Sequence, residues 1–196
     1  MSRKRRTPDE ARAEILAAAA ALLAEGGVAA VQMRTIAQRI GMTDAGVAHH
    51  LGSRDDLLRE LVTYGGRQIA TAVDDALTRW RNGDGSLEQL IASLGDAYRD
   101  GYAELALALY QSGWRSRGAA LLEPVVTELQ RRRRDRGAPI SETQVAVAAL
   151  HQAVAFESLF GREFRRSAGL GGAAGDTAET YRWWATALRT SLDLAD

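Results

Sequence analysis

The side chains of this 196-residue chain that are best placed to do chemistry lie between Met33 and Leu51. His49 and His50 stand side by side there, each imidazole able to donate or accept a hydrogen bond, and Asp44, Ala45 and Gly46 precede them. Small residues allow close approach to another surface, so the chemistry on offer is non-covalent: contact with base edges or phosphates. Covalent chemistry finds no matching pattern. The chain has no cysteine, which removes disulfides, thiol catalysis and cysteine-ligated metals together. Ala148 stands three residues before His151, where a carboxylate metal site in a helical bundle would need glutamate. Asp55-Asp56 and Asp74-Asp75 are neighbours in sequence and point in different directions on a helix, as a cap and surface charge would. No Ser/His/Asp arrangement and no phosphate-cradling glycine loop is identifiable. No catalytic residue, metal site or cofactor is therefore expected, and an all-α enzyme is the weaker alternative.

Charge must act locally, because 25 basic and 25 acidic residues leave a formal net charge of +0. Three arginine-rich clusters occur: Arg3-Lys4-Arg5-Arg6, Arg131 to Arg134 with Arg136, and Arg162 with Arg165-Arg166. The last two suit solvated helix ends, where cations complement the negative end of the dipole. The first precedes the Met33 to Leu51 segment and could reach phosphates as a flexible arm. It leads into charged, alanine-rich sequence, unlike a secretion signal. No uncharged apolar run of membrane-spanning length is apparent, so a cytoplasmic protein without a membrane partner is expected.

The elements that must position these groups read as helices throughout, with no alternating strand pattern. Capping boxes segment the chain. Thr7-Pro8-Asp9-Glu10 opens a helix with Ile15, Ala19, Leu22 and Leu23 inward, closed by Gly26-Gly27. A short helix with Met33, Ile36, Ala37 and Ile40 ends at Gly41. Thr43 caps a third, with Val47 and Leu51 inward. Ser53-Arg54-Asp55-Asp56 starts a fourth, with Leu57, Leu58, Leu61 and Val62 inward, interrupted by Gly65-Gly66. Ser86-Leu87-Glu88-Gln89 starts a segment whose apolar pattern continues through Leu109. A break from Gly113 to Gly118 follows. Pro139 with the box Ser141-Glu142-Thr143-Gln144 opens a long helix to about Arg166. After a loop with Gly169, Gly171, Gly172 and Gly175, Asp176 and Glu179 cap the last.

Two short helices joined by a glycine turn and flanked by longer ones make a helix-turn-helix, a pattern that serves packing as well as DNA reading. From Glu14 to Leu58 the sequence resembles the DNA-binding domain of the tetracycline-repressor (TetR) family. The stretches that carry the resemblance are Ile15-Leu16-Ala17-Ala18-Ala19, Leu23-Ala24-Glu25-Gly26-Gly27, Met33-Arg34-Thr35-Ile36-Ala37, Gly41-Met42-Thr43 and His49-His50-Leu51-Gly52-Ser53-Arg54-Asp55-Asp56-Leu57-Leu58. The resemblance implies an all-α fold: residues 1–58 a helix-turn-helix domain with a basic arm, and residues 59–196 a helical ligand-sensing and dimerisation domain. It also implies a homodimer that represses transcription from a pseudo-palindromic double-stranded DNA operator and is released by a small-molecule effector. Carried over by position, Gln32, Met33 and Arg34 approach phosphates, with Arg34 sometimes reaching a base. Thr43, Asp44, Ala45, Gly46, His49 and His50 fall on the recognition helix, and Arg54 matches a phosphate-contacting residue. The chain departs from the family pattern at Asp44, Gly46 and Ala48, losing polar contacts, which keeps open a protein-binding adaptor with degraded DNA affinity.

The C-terminal region is read from pattern. Ala149, Ala153, Phe156, Phe160 and Phe164 form a stripe at spacings of three and four, and the last helix offers Trp184, Ala187, Leu188, Ser191 and Leu192. Either an intramolecular core or, with the resemblance, a four-helix dimer interface through the last two helices suits them. Candidates for an effector pocket are Tyr98, Tyr102, Trp114, His151 and Gln152, in a mainly apolar lining. Gly65-Gly66 would be the hinge of ligand response.

Overall fold

The structure, a computed structural model, describes residues 7–115, 120–171 and 176–195. The basic arm Arg3-Lys4-Arg5-Arg6 and the expected loop glycines Gly118, Gly172 and Gly175 lie outside the described residues. Among the described residues nine helices and no strand occur: α1 (Pro8–Ala30), α2 (Met33–Ile40), α3 (Asp44–Leu51), α4 (Arg54–Arg81), α5 (Leu87–Arg99), α6 (Tyr102–Gln111), α7 (Glu123–Arg132), α8 (Ile140–Ser167) and α9 (Thr177–Ser191).

The chain divides into two compact units, one holding residues up to Arg67 together with Arg99–Ser116, the other Gln68–Tyr98 and Arg117–Asp196. In the first, Ile15, Leu23, Ile36, Val47, Leu57 and Leu61 are buried in one cluster with Leu105. α6 thus belongs to the core that supports the helix-turn-helix. α1 is long and apolar enough to cross a membrane by length and composition, with a mean hydropathy of 1.6. Its Ile15, Leu16, Leu22 and Leu23 are accounted for by this cluster. In the second unit Leu77, Leu87, Ile91, Leu129, Leu150 and Leu188 share a core.

Local chemistry sets the helix ends. Thr7 accepts from the Glu10 amide while Glu10 accepts from the Thr7 amide. Ser53 with Asp56 and Ser86 with Gln89 repeat that reciprocal arrangement, each cap being worth about 1 kcal/mol. Asp176 caps α9 through the Ala178 amide. α2 ends at Gly41 with φ 66°, a left-handed turn that glycine adopts without steric cost.

Several elements differ from the sequence reading. The backbone leaves helical angles at Gly26 and Gly27, and a further turn runs on to Ala30. α4 continues unbroken through Gly65-Gly66. The apolar run expected to continue through Leu109 is cut at Gly101, whose φ of 84° no helix accommodates. The Ser141 box does not form: Pro139 is the N-cap of α8 and makes no side-chain cap bond. The two residues between Ser141 and Gln144 face α7 and its C-cap, with the Thr143 hydroxyl donating to Gln130 Oε1 at 2.6 Å and Glu142 paired to Arg133 at 2.7 Å. On α9, Leu188 and Leu192 are core residues, not surface ones.

Candidate nucleic-acid interface

Burial of Val47 and Leu51 fixes how α3 is turned. With that side held inward, Asp44, Ala45, Ala48 and His49 are exposed, and Gly46 and His50 are half-buried. The Thr43 hydroxyl accepts from the Gly46 amide at 3.0 Å, so the start of α3 is closed by its own cap. A Cβ on residue 46 would stand 3.2 Å from that hydroxyl, a tight contact. The His49 and His50 rings meet edge to face, with centroids 5.4 Å apart. α2 presents Arg34, Thr35 and Gln38 to solvent. Gln32, at its N-cap, is also exposed and donates to the Ala29 carbonyl, while Met33 is half-buried against the core.

Arginines hold this assembly from behind. Arg12 donates to the His50 carbonyl at 2.8 Å and pairs with Glu60 at 2.9 Å, which satisfies an unpaired carbonyl at the end of α3. Arg54 donates through Nε to the Val31 carbonyl at 2.9 Å and through Nη2 to the Val28 carbonyl at 2.8 Å. Its guanidinium therefore clamps the segment between α1 and α2 rather than standing free towards solvent. Arg39 forms a forked pair with Glu25, at 2.9 and 2.6 Å, and this hydrogen bonding holds the Glu25 carboxyl below its ordinary range. Arg59 pairs with Asp56, whose carboxyl is lowered first by the Ser53 hydroxyl. Arg34 is thus the one cationic side chain between Pro8 and Leu61 with no partner among the described residues. The sequence reading missed the clamps of Arg12 and Arg54, whose partners are 38, 26 and 23 residues away and leave no local signal.

The arrangement offers a short exposed helix edge with one free guanidinium, one exposed imidazole and one carboxylate. That edge is suited to hydrogen bonding in a groove about 12 Å wide. Among the described residues no group of three or more His, Asp or Glu is placed to hold a metal ion.

The five pocket candidates are not brought together. Tyr102 and Trp114 pack against the core of the first unit. Tyr98 and His151 meet in the second, hydroxyl to Nε2 at 2.6 Å, and Gln152 is exposed. Burial pushes the Tyr98 hydroxyl up and the His151 imidazole down, so both are neutral near pH 7. A cavity of about 620 Å³ opens between α7 and α8 with His151 in its wall.

Residues 15–61 match the sequence model of the family described as "Bacterial regulatory proteins, tetR family". No curated protein matches the chain. Among solved structures the chain is similar to BioQ of Mycobacterium smegmatis, at 23% identity over 92% of this chain and 97% of that one, with a TM-score of 0.54. It is also similar to the transcriptional regulator SCO7222, a TetR from Streptomyces coelicolor, at 18% identity over 93% and 95%, with a TM-score of 0.55. At these identities the likenesses speak to the fold over nearly the whole chain.

Proposed function

From the premise that this chain belongs to the tetR family of bacterial regulatory proteins and is a DNA-binding transcriptional regulator, we propose that it is a cytoplasmic homodimeric repressor, not an enzyme. It holds a pseudo-palindromic operator and releases it when a small molecule binds. The observation that carries this reading is the exposed edge of α3, set by buried Val47 and Leu51, with unpartnered Arg34 beside it on α2. Arg34, His49 and the N-terminal turn of α3 contact the major groove, and Gln32 and Thr43 approach phosphates. Arg54 contributes by fixing the start of α4 to the end of α1 and its C-cap.

Dimerisation runs through α8 and α9. Phe156, Phe160 and Phe164 are 49%, 40% and 60% exposed and Trp183 is 63% exposed, an aromatic face too large to leave to water. Phe156 and Phe164 share a recess with Trp184 of α9, so the two helices present one continuous surface. Two copies of that surface bury each other in a four-helix interface, and a twofold dimer matches the two half-sites of a pseudo-palindromic operator.

Selection of bound fragments from the source genome, followed by footprinting at matched salt, tests the reading. Protected palindromes of two half-sites are expected. A second reading, a protein-binding adaptor with weakened DNA affinity, is favoured by the carboxylate of Asp44 at the head of α3 and by the single free cation of the described reading face. Binding that is uniform across fragments and vanishes with salt would support the adaptor.

A further inference from the structure

We propose that the cavity between α7 and α8 is the effector site and that it selects uncharged or cationic lipophilic molecules over anionic ones. This rests on the reading of the chain as a ligand-released regulator, and it commits to a place and a chemical class that the reading leaves open. The centre of the second unit offers no room: the space among Leu90, Leu94, Leu129 and Leu150 is about 10 Å³, at most one water. The α7–α8 cavity, about 620 Å³ and open to solvent on one side, has room for a small molecule seated against its apolar floor. Leu121, Val126 and Val147 supply apolar walls, and the polar groups are Glu123, Thr127, Gln144 and His151. Among the described residues no lysine or arginine lines it.

The polar groups are arranged along its length. The Thr143 hydroxyl meets Gln130 at 2.6 Å, which sets the register of two antiparallel helices. Counting back seven residues on α7 reaches Glu123, and counting on eight on α8 reaches His151, displacements of about 10 and 12 Å at 1.5 Å per residue. Glu123 and His151 therefore stand level, at the end away from the α7–α8 connection. Tyr98 and His151 Nε2 share a hydrogen bond whose direction follows the imidazole tautomer, which leaves Nδ1 as the ring's second polar atom. That end offers the second imidazole nitrogen, a donor or an acceptor by tautomer, and one carboxylate. A hydroxyl or amine finds partners in both, whereas a carboxylate or phosphate meets the like charge of Glu123, with no lysine or arginine among the described lining residues to offset it.

The test uses three naphthalenes of matched size, 1-naphthylmethylamine, 1-naphthalenemethanol and 1-naphthoate, in equilibrium dialysis against the full chain without DNA. The amine and the alcohol are expected to bind, with naphthoate weaker by about threefold or more, the scale of one partly exposed charge. Glu123→Gln should remove the preference for amine over naphthoate and leave the alcohol unchanged. Ala148→Trp, on an exposed position of α8 that lines the cavity, should displace all three while the melting temperature holds. Naphthoate binding as tightly as the amine, no probe binding at all, or binding that Ala148→Trp leaves intact would each overturn the proposal. Operator release by the bound amine is scored separately. An operator that is bound but not released by it refutes the effector role alone, and the absence of any operator refutes the regulator reading while the cavity's selectivity stands.

Discussion

Tyr102 occupies the space that a side chain on Gly65 would need: a Cβ built there would lie 2.2 Å from Tyr102 Cε1. Glycine at 65 is thus a packing requirement where Tyr102 of α6 meets α4, a reason for glycine there that the sequence reading, which saw only an interruption, did not supply. Gly66, with nothing within 4 Å of its own Cβ position, carries no such constraint. Gly65→Ala must push the ring out of its place and should destabilise the protein by about 1–3 kcal/mol. Gly66→Ala should stabilise it by about 1 kcal/mol through helix propensity. Urea unfolding of the two variants checks the contrast, and equal stabilisation by both would show that the ring is not held there.

Arg34 and Arg54 lie on the same domain and should fail differently when truncated. Arg34→Ala removes a side chain without an internal partner, so operator affinity falls, with about 1–3 kcal/mol of lost discrimination if it reaches a base. Its melting temperature should not move. Arg54→Ala strips hydrogen bonds from the Val28 and Val31 carbonyls and should cost about 1–3 kcal/mol of stability. Paired thermal melts and anisotropy titrations separate the two. A stable Arg54→Ala protein with weakened binding would return Arg54 to the DNA contact that the resemblance implies.

How much of this was legible depended on sequence distance. The reciprocal caps at Thr7/Glu10, Ser53/Asp56 and Ser86/Gln89 form between residues three apart, so their side chains alone announce them. Val47 and Leu51, one helical turn apart, fixed the outward face of α3 in the same way. Ser141 looked identical in type and spacing, yet its box is absent, because α8 starts one residue earlier, at Ile140 with Pro139 as its N-cap, and Ser141 is already inside the helix. Tyr98 and Tyr102 were grouped because the apolar pattern runs on through both, but the turn at Gly101 sends them to different units. Sequence spacing alone reveals neither where a helix starts nor where a turn leads.

As a proposal, the basic residues before Thr7 take part in DNA binding through their charge. Deleting residues 2–6 removes Arg3, Lys4, Arg5 and Arg6. If all four meet phosphate, the slope of log K against log salt should become shallower by up to about 3.6 per protomer, at roughly 0.9 per contact. Titrations between low and physiological salt measure the slope, and an unchanged value would show that the arm takes no part.

Glu128 gives the second unit a defined acid limit. Its side chain is 3% exposed and receives Arg131, Arg132 and Arg81 at 2.6, 2.7 and 2.9 Å. Burial alone would raise its carboxyl, but the three guanidinium bonds together outweigh it and bring the value from 4.5 to about 2. Because the folded value is the lower one, the stabilisation is fully present above pH 4.5 and is lost as pH falls from there towards 2. It amounts to about 3 kcal/mol at neutral pH. Glu128→Gln should flatten the stability profile in that window and lower stability at pH 7. A wild-type profile already flat from pH 5 to 3 would contradict the assignment.

Glu157 and Arg165 form an ion pair along α8 with side chains only 12% and 15% exposed, beside Phe156, Phe160 and Phe164. Gly161 makes the pair geometrically available, since a Cβ there would stand 2.3 Å from Glu157 Cδ. The Nε of Arg165 is buried without a hydrogen-bond partner. If the aromatic face closes against a second copy, the pair is dried further and each charge depends more heavily on the other. Glu157→Gln should then weaken the dimer by about tenfold or more by leaving a guanidinium uncompensated, whereas Glu157→Gln with Arg165→Met should recover most of the loss. Sedimentation across a dilution series measures both. Equal weakening by the single and double variants would mean that the pair is bystander charge. A double variant that dimerises with altered stoichiometry would instead show that the pair selects the twofold arrangement from the other packings the aromatic face permits.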